Sequence, residues 1–311
     1  MEKKFVSVVI YLHNSQNQIK DFLQTIVPTI QDMFEHYEFI CVDDACEDDT
    51  LQILKLYANS AGIDEKVSIV HMGFYQGLES AMNAGRDAAI GDFTFEFDDV
   101  YVDYDIDVIG EAYEYVQSDS DIVSVARDGK ETLSSKLFYR VFNRYSKSVY
   151  DIGSETFRIL SRRAINRIKA QAVYIPYRKA MYANCGLKKS TYKYIPTKSI
   201  EGLGQKHNFS LERGGLAIDS FIFFTNVVER ISTFISIFFL LVTVGTLIYT
   251  LVDYFIEDSL VGGWASLMTF VSLGFFGVFV MLTLLLKYMS VVLNLIFKKQ
   301  RYLVADIEKV V

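Results

Sequence analysis

The chain is poor in the residues that staple, punctuate or charge a protein: its 311 residues include three cysteines, three prolines and one tryptophan, and acids outnumber bases by 38 to 31. Cys41, Cys46 and Cys185 lack metal-ligand spacing, which predicts three reduced packing residues rather than a metal knot or a disulfide framework. With so few prolines there is no Pro-rich linker, and short repeats and low-complexity tracts are absent as well. The net charge of −7 argues against a nucleic-acid binder, which needs a basic face. The N-terminus shows no basic stretch followed by an apolar segment and a cleavage site, so no secretory signal is expected.

Charge is also missing in two places where its absence is informative. Neither 231–252 nor 264–286 contains a charged residue, and each stretch exceeds the roughly 20 apolar residues that cross a bilayer. Two membrane spans are expected, within a hairpin over residues 231–290. The link between them carries Asp253, Glu257 and Asp258, whereas Arg230 precedes the first span and Lys287, Lys298, Lys299 and Arg301 follow the second. By the positive-inside rule the N-terminal region and a tail over 291–311 are expected in the cytoplasm. A transporter is disfavoured, since two uncharged spans offer no polar pathway. Residues 210–230 are apolar along much of their length and read as an interfacial helix leading into the bilayer.

The first 209 residues alternate strand and helix. Val6–Ile10, Phe39–Val42, Val67–Val70, Phe93–Phe97 and Asp121–Val125 read as strands. Helices are expected over Ile19–Met33, from Asp49-Thr50 to about Ala61, and over Gly77–Ala89, Ile106–Gln117 and Leu133–Tyr145. Such alternation predicts a doubly wound, mostly parallel α/β sheet. Two of the strands run apolar and then stop in paired carboxylates, Asp43-Asp44 and Asp98-Asp99. In an open α/β sheet the ligand crevice lies outside the carboxyl ends of the strands, so both pairs are expected to face one nucleotide or metal site.

These residues carry a resemblance. Val6–Ile10, Val42-Asp43-Asp44 with Asp48 and Thr50, His71 with Gly77–Ala81, Ala84-Gly85, Gly91-Asp92, Lys136–Arg144 and Phe157–Leu160, ending in Gly263–Leu267 at the second span, resemble family 2 glycosyltransferases of the GT-A fold. Within that family they are similar to the branch of polyprenyl-phosphate glycosyltransferases and dolichol-phosphate mannose synthases. The resemblance implies a Rossmann-like GT-A domain that passes a sugar from a UDP- or GDP-sugar to a polyprenyl phosphate at the cytoplasmic membrane face, with inversion, using Mg²⁺ or Mn²⁺, in a protein that often self-associates. It places Asp43 and Asp44 at the nucleotide and Asp98 at the metal; beside them Tyr11, Ser15 and Arg127 are candidate nucleotide contacts, Asp99 a second candidate metal ligand, and Asp98, Asp99 and Asp103 the candidate catalytic carboxylates. Lys136, Arg140, Arg144 and Arg158 would meet the acceptor phosphate, the first three on one helical face.

The chain departs from the family where chemistry is concentrated. Val100 stands at the second carboxylate of the Asp-x-Asp motif, Val102 at a following Gln, Tyr11 at a Pro, Ser15 at a Glu, Phe74 and Tyr75 at an Arg-Asn pair, and Thr156 at an Asp. A lipid phosphate, with a second pKa of about 6, is mostly ionised at neutral pH and needs little help from a base, so Thr156 is tolerable. Val100 matters more, because aliphatic groups cannot ligate a hard cation that stabilises a leaving diphosphate. Two outcomes are open. Catalysis persists with Asp99 or Asp103 completing a displaced site, or with cations such as Arg127 doing the metal's work. Alternatively the chain is a degenerate homologue that acts as a membrane-bound scaffold or regulatory partner. Under the second reading Val100→Asp is expected to restore metal binding without disturbing the fold.

Overall fold

The computed structural model describes residues 1–129, 133–145, 149–171, 177–197, 263–297 and 302–310, together with scattered positions between 231 and 245. The chain divides into two compact units, Met1–Leu216 with Lys298–Val311, and Ala217–Phe297.

The first unit is built on one eight-stranded sheet in the order β7-β5-β6-β4-β1-β2-β3-β8. Its strands are β1 (Glu2–Leu12), β2 (Phe34–Asp43), β3 (Val67–Met72), β4 (Phe93–Phe97), β5 (Ile122–Arg127), β6 (Phe157–Ser161), β7 (Lys189–Tyr194) and β8 (Val304–Lys309). The helices of this unit are α1 (Ile19–Met33), α2 (Thr50–Ala61), α3 (Leu78–Ala88), α4 (Asp107–Asp119), α5 (Leu133–Tyr145), α6 (Arg162–Gln171) and α7 (Arg178–Asn184).

Alternation along β1 explains the layering. Val6, Val8, Ile10 and Leu12 join one hydrophobic cluster with Phe22, Ile26 and Ile109 from α1 and α4. Val9 and Tyr11 join a second cluster with Ala81 and Met82 of α3. A period of two thus sends successive side chains to opposite faces, each covered by helices, as a doubly wound sheet requires. Gly85 permits the close seating of α3: a Cβ there would lie 2.5 Å from side-chain carbons of both Val9 and Val42.

The sheet is mixed. β1 pairs in parallel with β2 and β4, as does β2 with β3 and β5 with β7. β6 runs antiparallel between β4 and β5, and β8 antiparallel along β3. Each follows a helix, α5 before β6 and a 34-residue helix before β8, but the alternation rule expects a parallel partner and so does not anticipate either strand. Residues 304–309, expected in a tail, instead pair along β3 and form the edge strand on that side of the sheet.

In the second unit α8 (Trp264–Phe297) runs unbroken for 34 residues. Taken over the described residues, no helix is long and apolar enough to cross a membrane. The interfacial helix expected over 210–230 and most of the first expected span, 231–252, lie outside the described residues.

Candidate functional site

β1, β2, β3 and β4 run in parallel, so their carboxyl ends share one side of the sheet, with Leu12 in register with Asp43 and Asp43 with His71. The non-glycine residues with left-handed backbone among those described, Asn14 (φ 47°) and Ala45 (φ 56°), sit just beyond β1 and β2. Strain of this kind concentrates where structure is bent to a function.

Asp44 is fully buried. Its Oδ1 accepts the N–H of Gln76 at 2.8 Å, and its Oδ2 accepts the N–H of Gly77 at 2.9 Å and the Tyr11 hydroxyl at 3.1 Å. The carboxylate therefore holds the turn that opens α3. Burial raises its pKa, against the pull of these donors, and burial with the Asp44 charge pushes the Tyr11 phenol up strongly. Asp43 accepts the Cys46 N–H at 2.8 Å through Oδ1, and its Oδ2 lies 2.8 Å from His71 Nδ1. Ser15 shapes the same corner: its N–H donates to Thr50 Oγ1 at 2.7 Å and its hydroxyl to the His13 carbonyl at 3.1 Å. Asp48 accepts from Thr50 and from the Gln16 N–H, fixing the start of α2.

The end of β4 is occupied differently. Asp98 is clamped by two guanidinium groups: Arg158 Nη2 reaches Oδ2 at 2.7 Å and Nη1 reaches Oδ1 at 3.2 Å, while Arg178 Nη2 reaches Oδ1 at 2.7 Å. Glu96, two residues earlier on the same strand face, meets the same pair at 3.1 and 3.0 Å and accepts the Tyr182 hydroxyl at 2.9 Å. Arg178 also donates to Glu79 from its backbone N–H and Nε, both at 2.9 Å. Arg158 continues to Glu155, which Lys189 meets at 2.9 Å. The side chains of Arg158 and Arg178 are fully buried. Buried ions persist only when paired and hydrogen-bonded, and here Arg158, Arg178 and Lys189 face Glu79, Glu96, Asp98 and Glu155.

Burial alone would raise the Glu155 carboxyl, but Lys189 and Arg158 overcome it and hold it at about 2, below its ordinary 4.5. Asp98 is likewise lowered, by Arg158 and Arg178 against the effect of burial. A depressed folded-state pKa contributes stability above the unfolded value and loses it as pH falls through the folded one. Circular-dichroism melts are therefore expected to drop steeply between about pH 4.5 and pH 2, and Glu155→Gln is expected to flatten that drop.

Asp103 is a third centre. It is buried, accepts the Tyr194 hydroxyl at 2.7 Å and pairs with Arg127 Nε at 2.5 Å. Thr156, where the family has an Asp, shares a hydrogen bond of 2.8 Å with the same Tyr194 hydroxyl. Asp99 is exposed and accepts the Tyr101 N–H at 3.0 Å. Lys136, Arg140 and Arg144 are exposed on α5. Arg158, expected with them at a phosphate, faces carboxylates instead.

Residues 7–174, just over half of the chain, match the family profile described as Glycosyl transferase family 2. The chain belongs to that family. An uncharacterized glycosyltransferase of Synechocystis sp. is 22% identical over 97% of this chain and 95% of its own length. The bactoprenol glucosyl transferase of Shigella phage SfX is 23% identical over 88% of each chain, and a prophage bactoprenol glucosyl transferase homolog of Escherichia coli is 25% identical over the same shares. Among solved structures, a mannosyltransferase from Pyrobaculum calidifontis, in complex with GDP-Man and Mn²⁺, superposes with a TM-score of 0.53 at 13% identity, covering 96% of this chain and 89% of that one. At that identity the likeness is one of fold, and it is a GT-A fold.

For this family 2 glycosyltransferase the residues at the end of β4 do not fit a divalent cation. Mg²⁺ and Mn²⁺ need several oxygen donors with free lone pairs, and both oxygens of Asp98 already serve guanidinium groups. Val100 is only 5% exposed and belongs to the main hydrophobic cluster, so its position points into the core. Asp103 is committed to Tyr194 and Arg127. Among the described residues no group of three or more carboxylate, imidazole or thiol side chains is placed to hold a metal ion. Of the two residues expected to form a metal site, Asp98 is thus already used for protein contacts, whereas Asp99 is exposed and accepts the Tyr101 N–H through one oxygen.

Arg178 was not legible as a functional residue. The available signal was Glu96: a carboxylate in the middle of a buried strand requires a cation from elsewhere in the fold.

Proposed function

We propose that this protein transfers a sugar from a nucleoside-diphosphate donor to a polyprenyl phosphate at the cytoplasmic face of a membrane. The observation that carries this reading is family membership combined with end-to-end similarity to bactoprenol glucosyl transferases over 88% of the chain. Asp43 and Asp44, at the carboxyl ends of the parallel strands, form the donor corner together with Tyr11 and Ser15. Arg127, with its side chain 27% exposed beside Asp103, and the exposed Lys136, Arg140 and Arg144 supply positive charge for the diphosphate and the lipid phosphate. The acceptor enters already ionised, so its phosphate oxygen is the nucleophile and needs no strong base.

Membrane anchoring is part of the same proposal. The first 23 residues of α8, 264–286, are uncharged, a length of roughly 35 Å at 1.5 Å per residue. Large apolar side chains along it, including Phe275, Phe276, Phe279 and Leu286, are about 60% exposed, which suits lipid far better than water. Two spans, a cytoplasmic first unit and self-association through the hairpin complete the picture.

A second reading, binding without turnover, is favoured by the clamp on Asp98. One assay separates them: full-length protein in detergent, with radiolabelled UDP- and GDP-sugars and polyprenyl phosphate, scored for organic-extractable label. The transferase reading expects lipid-linked sugar from one donor class, and its absence with every donor would leave the scaffold reading.

A further inference from the structure

The C-terminal segment touches both carboxylates of the donor corner through one intermediate each. His71 on β3 presents Nδ1 to Asp43 at 2.8 Å and Nε2 to Glu308 of β8 at 3.1 Å. Lys55 of α2 holds the far side of Glu308 at 2.7 and 2.9 Å and, with His71, lowers the pKa of that carboxyl. Asp306, paired in register with His71, turns its carboxylate to the N–H of Ile307. Upstream, the Leu303 carbonyl accepts from the Gly73 N–H at 3.0 Å and from Gln76 Nε2 at 2.6 Å, and its N–H donates to Gln76 Oε1 at 2.9 Å. Gln76 is the residue whose own N–H binds Asp44.

We propose that the C-terminal strand is a working part of the donor site: Glu308, acting through His71, sets the position of Asp43, and Leu303, acting through Gln76, sets the loop that Asp44 holds. Glu308 and His71 are positioning residues for the nucleotide. Covering the edge of β3 requires only the backbone ladder, which any sequence compatible with a strand supplies. The side-chain line from Lys55 to Asp43 is additional to it. Its outer members are partly exposed, at 38% for Lys55, 39% for Glu308 and 24% for His71. Contacts this open add little to global stability, so replacing them leaves a folded protein in which the effect on ligand can be read. This inference rests on the donor-site reading above.

The test is calorimetric titration of the full-length, detergent-solubilised protein with UDP and with GDP, accompanied by circular-dichroism melts. For the nucleotide that binds, Glu308→Ala and His71→Ala are expected to raise the Kd about tenfold with melting unchanged. Glu308→Gln is expected to restore near wild-type affinity, because its amide can exchange a hydrogen bond with Nε2 in either tautomer. A purely structural role for the Lys55 pair would be lost equally in Ala and Gln. Equal affinities in wild type and both Ala variants, or a Gln variant no better than Ala, overturn the proposal. Failure of the wild type to bind either nucleotide overturns the donor-site reading and this inference with it.

Discussion

Arg178→Ala is expected to cost about 3–5 kcal/mol of folding stability, among the largest effects of any single substitution in the first unit. The guanidinium is fully buried and meets Glu79, Glu96 and Asp98, while the backbone N–H of the same residue adds a further bond to Glu79. Truncation leaves three carboxylates short of a partner in a largely buried region, and an uncompensated buried charge costs far more than the intact pair contributes. Arg158 cannot take over, since it already serves Glu96, Asp98 and Glu155. Arg178→Lys is expected to recover little, because one ammonium cannot reproduce a planar fork that spans Nε, Nη1 and Nη2 contacts. Urea denaturation of the detergent-solubilised protein, followed by circular dichroism, measures the loss. A change below about 1 kcal/mol would mean that the clamp is loose and that Asp98 is free to do something else.

Val100→Asp is the second large effect, and here structure and sequence disagree. The motif alone suggests that restoring a carboxylate two residues after Asp98 rebuilds a metal site at no cost. Yet Val100 lies in the main core cluster. The same cluster contains Phe97, Tyr104 and Phe157, with Phe97 and Phe157 stacked at 5.1 Å and Tyr104 and Phe157 tilted at 5.2 Å. Placing an ionised carboxylate in such surroundings costs several kcal/mol unless the side chain is expelled or protonated. The variant is expected to lose stability on that scale and to gain no affinity for Mn²⁺, read from the paramagnetic resonance signal of the free ion. Stoichiometric Mn²⁺ binding by a stably folded variant would instead show that the position can reach a shared site with Asp98.

The scaffold was legible in the sequence because its signals are local and periodic. Helices over Ile19–Met33 and Leu133–Tyr145 follow from apolar spacing, and the parallel strands from short apolar runs between them. β6, β7 and β8 carry no such signal. Lys189–Tyr194 alternates weakly, with burial at Lys189 and Tyr194, and Val304–Lys309 gains its place only by pairing with an edge far away in the chain, as Ser68 does with Lys309. The site was legible in position but not in wiring. That Asp43-Asp44 and Asp98-Asp99 follow two parallel strands flanking β1 follows from topology. That Asp98 is spoken for by Arg158 and Arg178 depends on side chains 60 and 80 residues distant, and no local pattern announces such partners. Arg158 itself, read as a phosphate ligand from a matched segment, shows the hazard of carrying a role across without knowing what surrounds the residue.

In the cation-using picture a carboxylate recruits a metal, and the metal offsets charge on the leaving diphosphate. Here the carboxylate at that strand end is already paired with fixed guanidinium groups, and the proposed function assigns the positive charge met by a diphosphate to the basic face of α5 and to Arg127, itself paired with Asp103.

The most direct test of this account is the transfer assay run twice, with radiolabelled nucleotide-sugar, polyprenyl phosphate and full-length protein, once in Mn²⁺ and once in excess EDTA. Lipid-linked sugar is expected at the same rate in both. No lipid product under either condition, or product that vanishes in EDTA and returns with Mn²⁺, would contradict it.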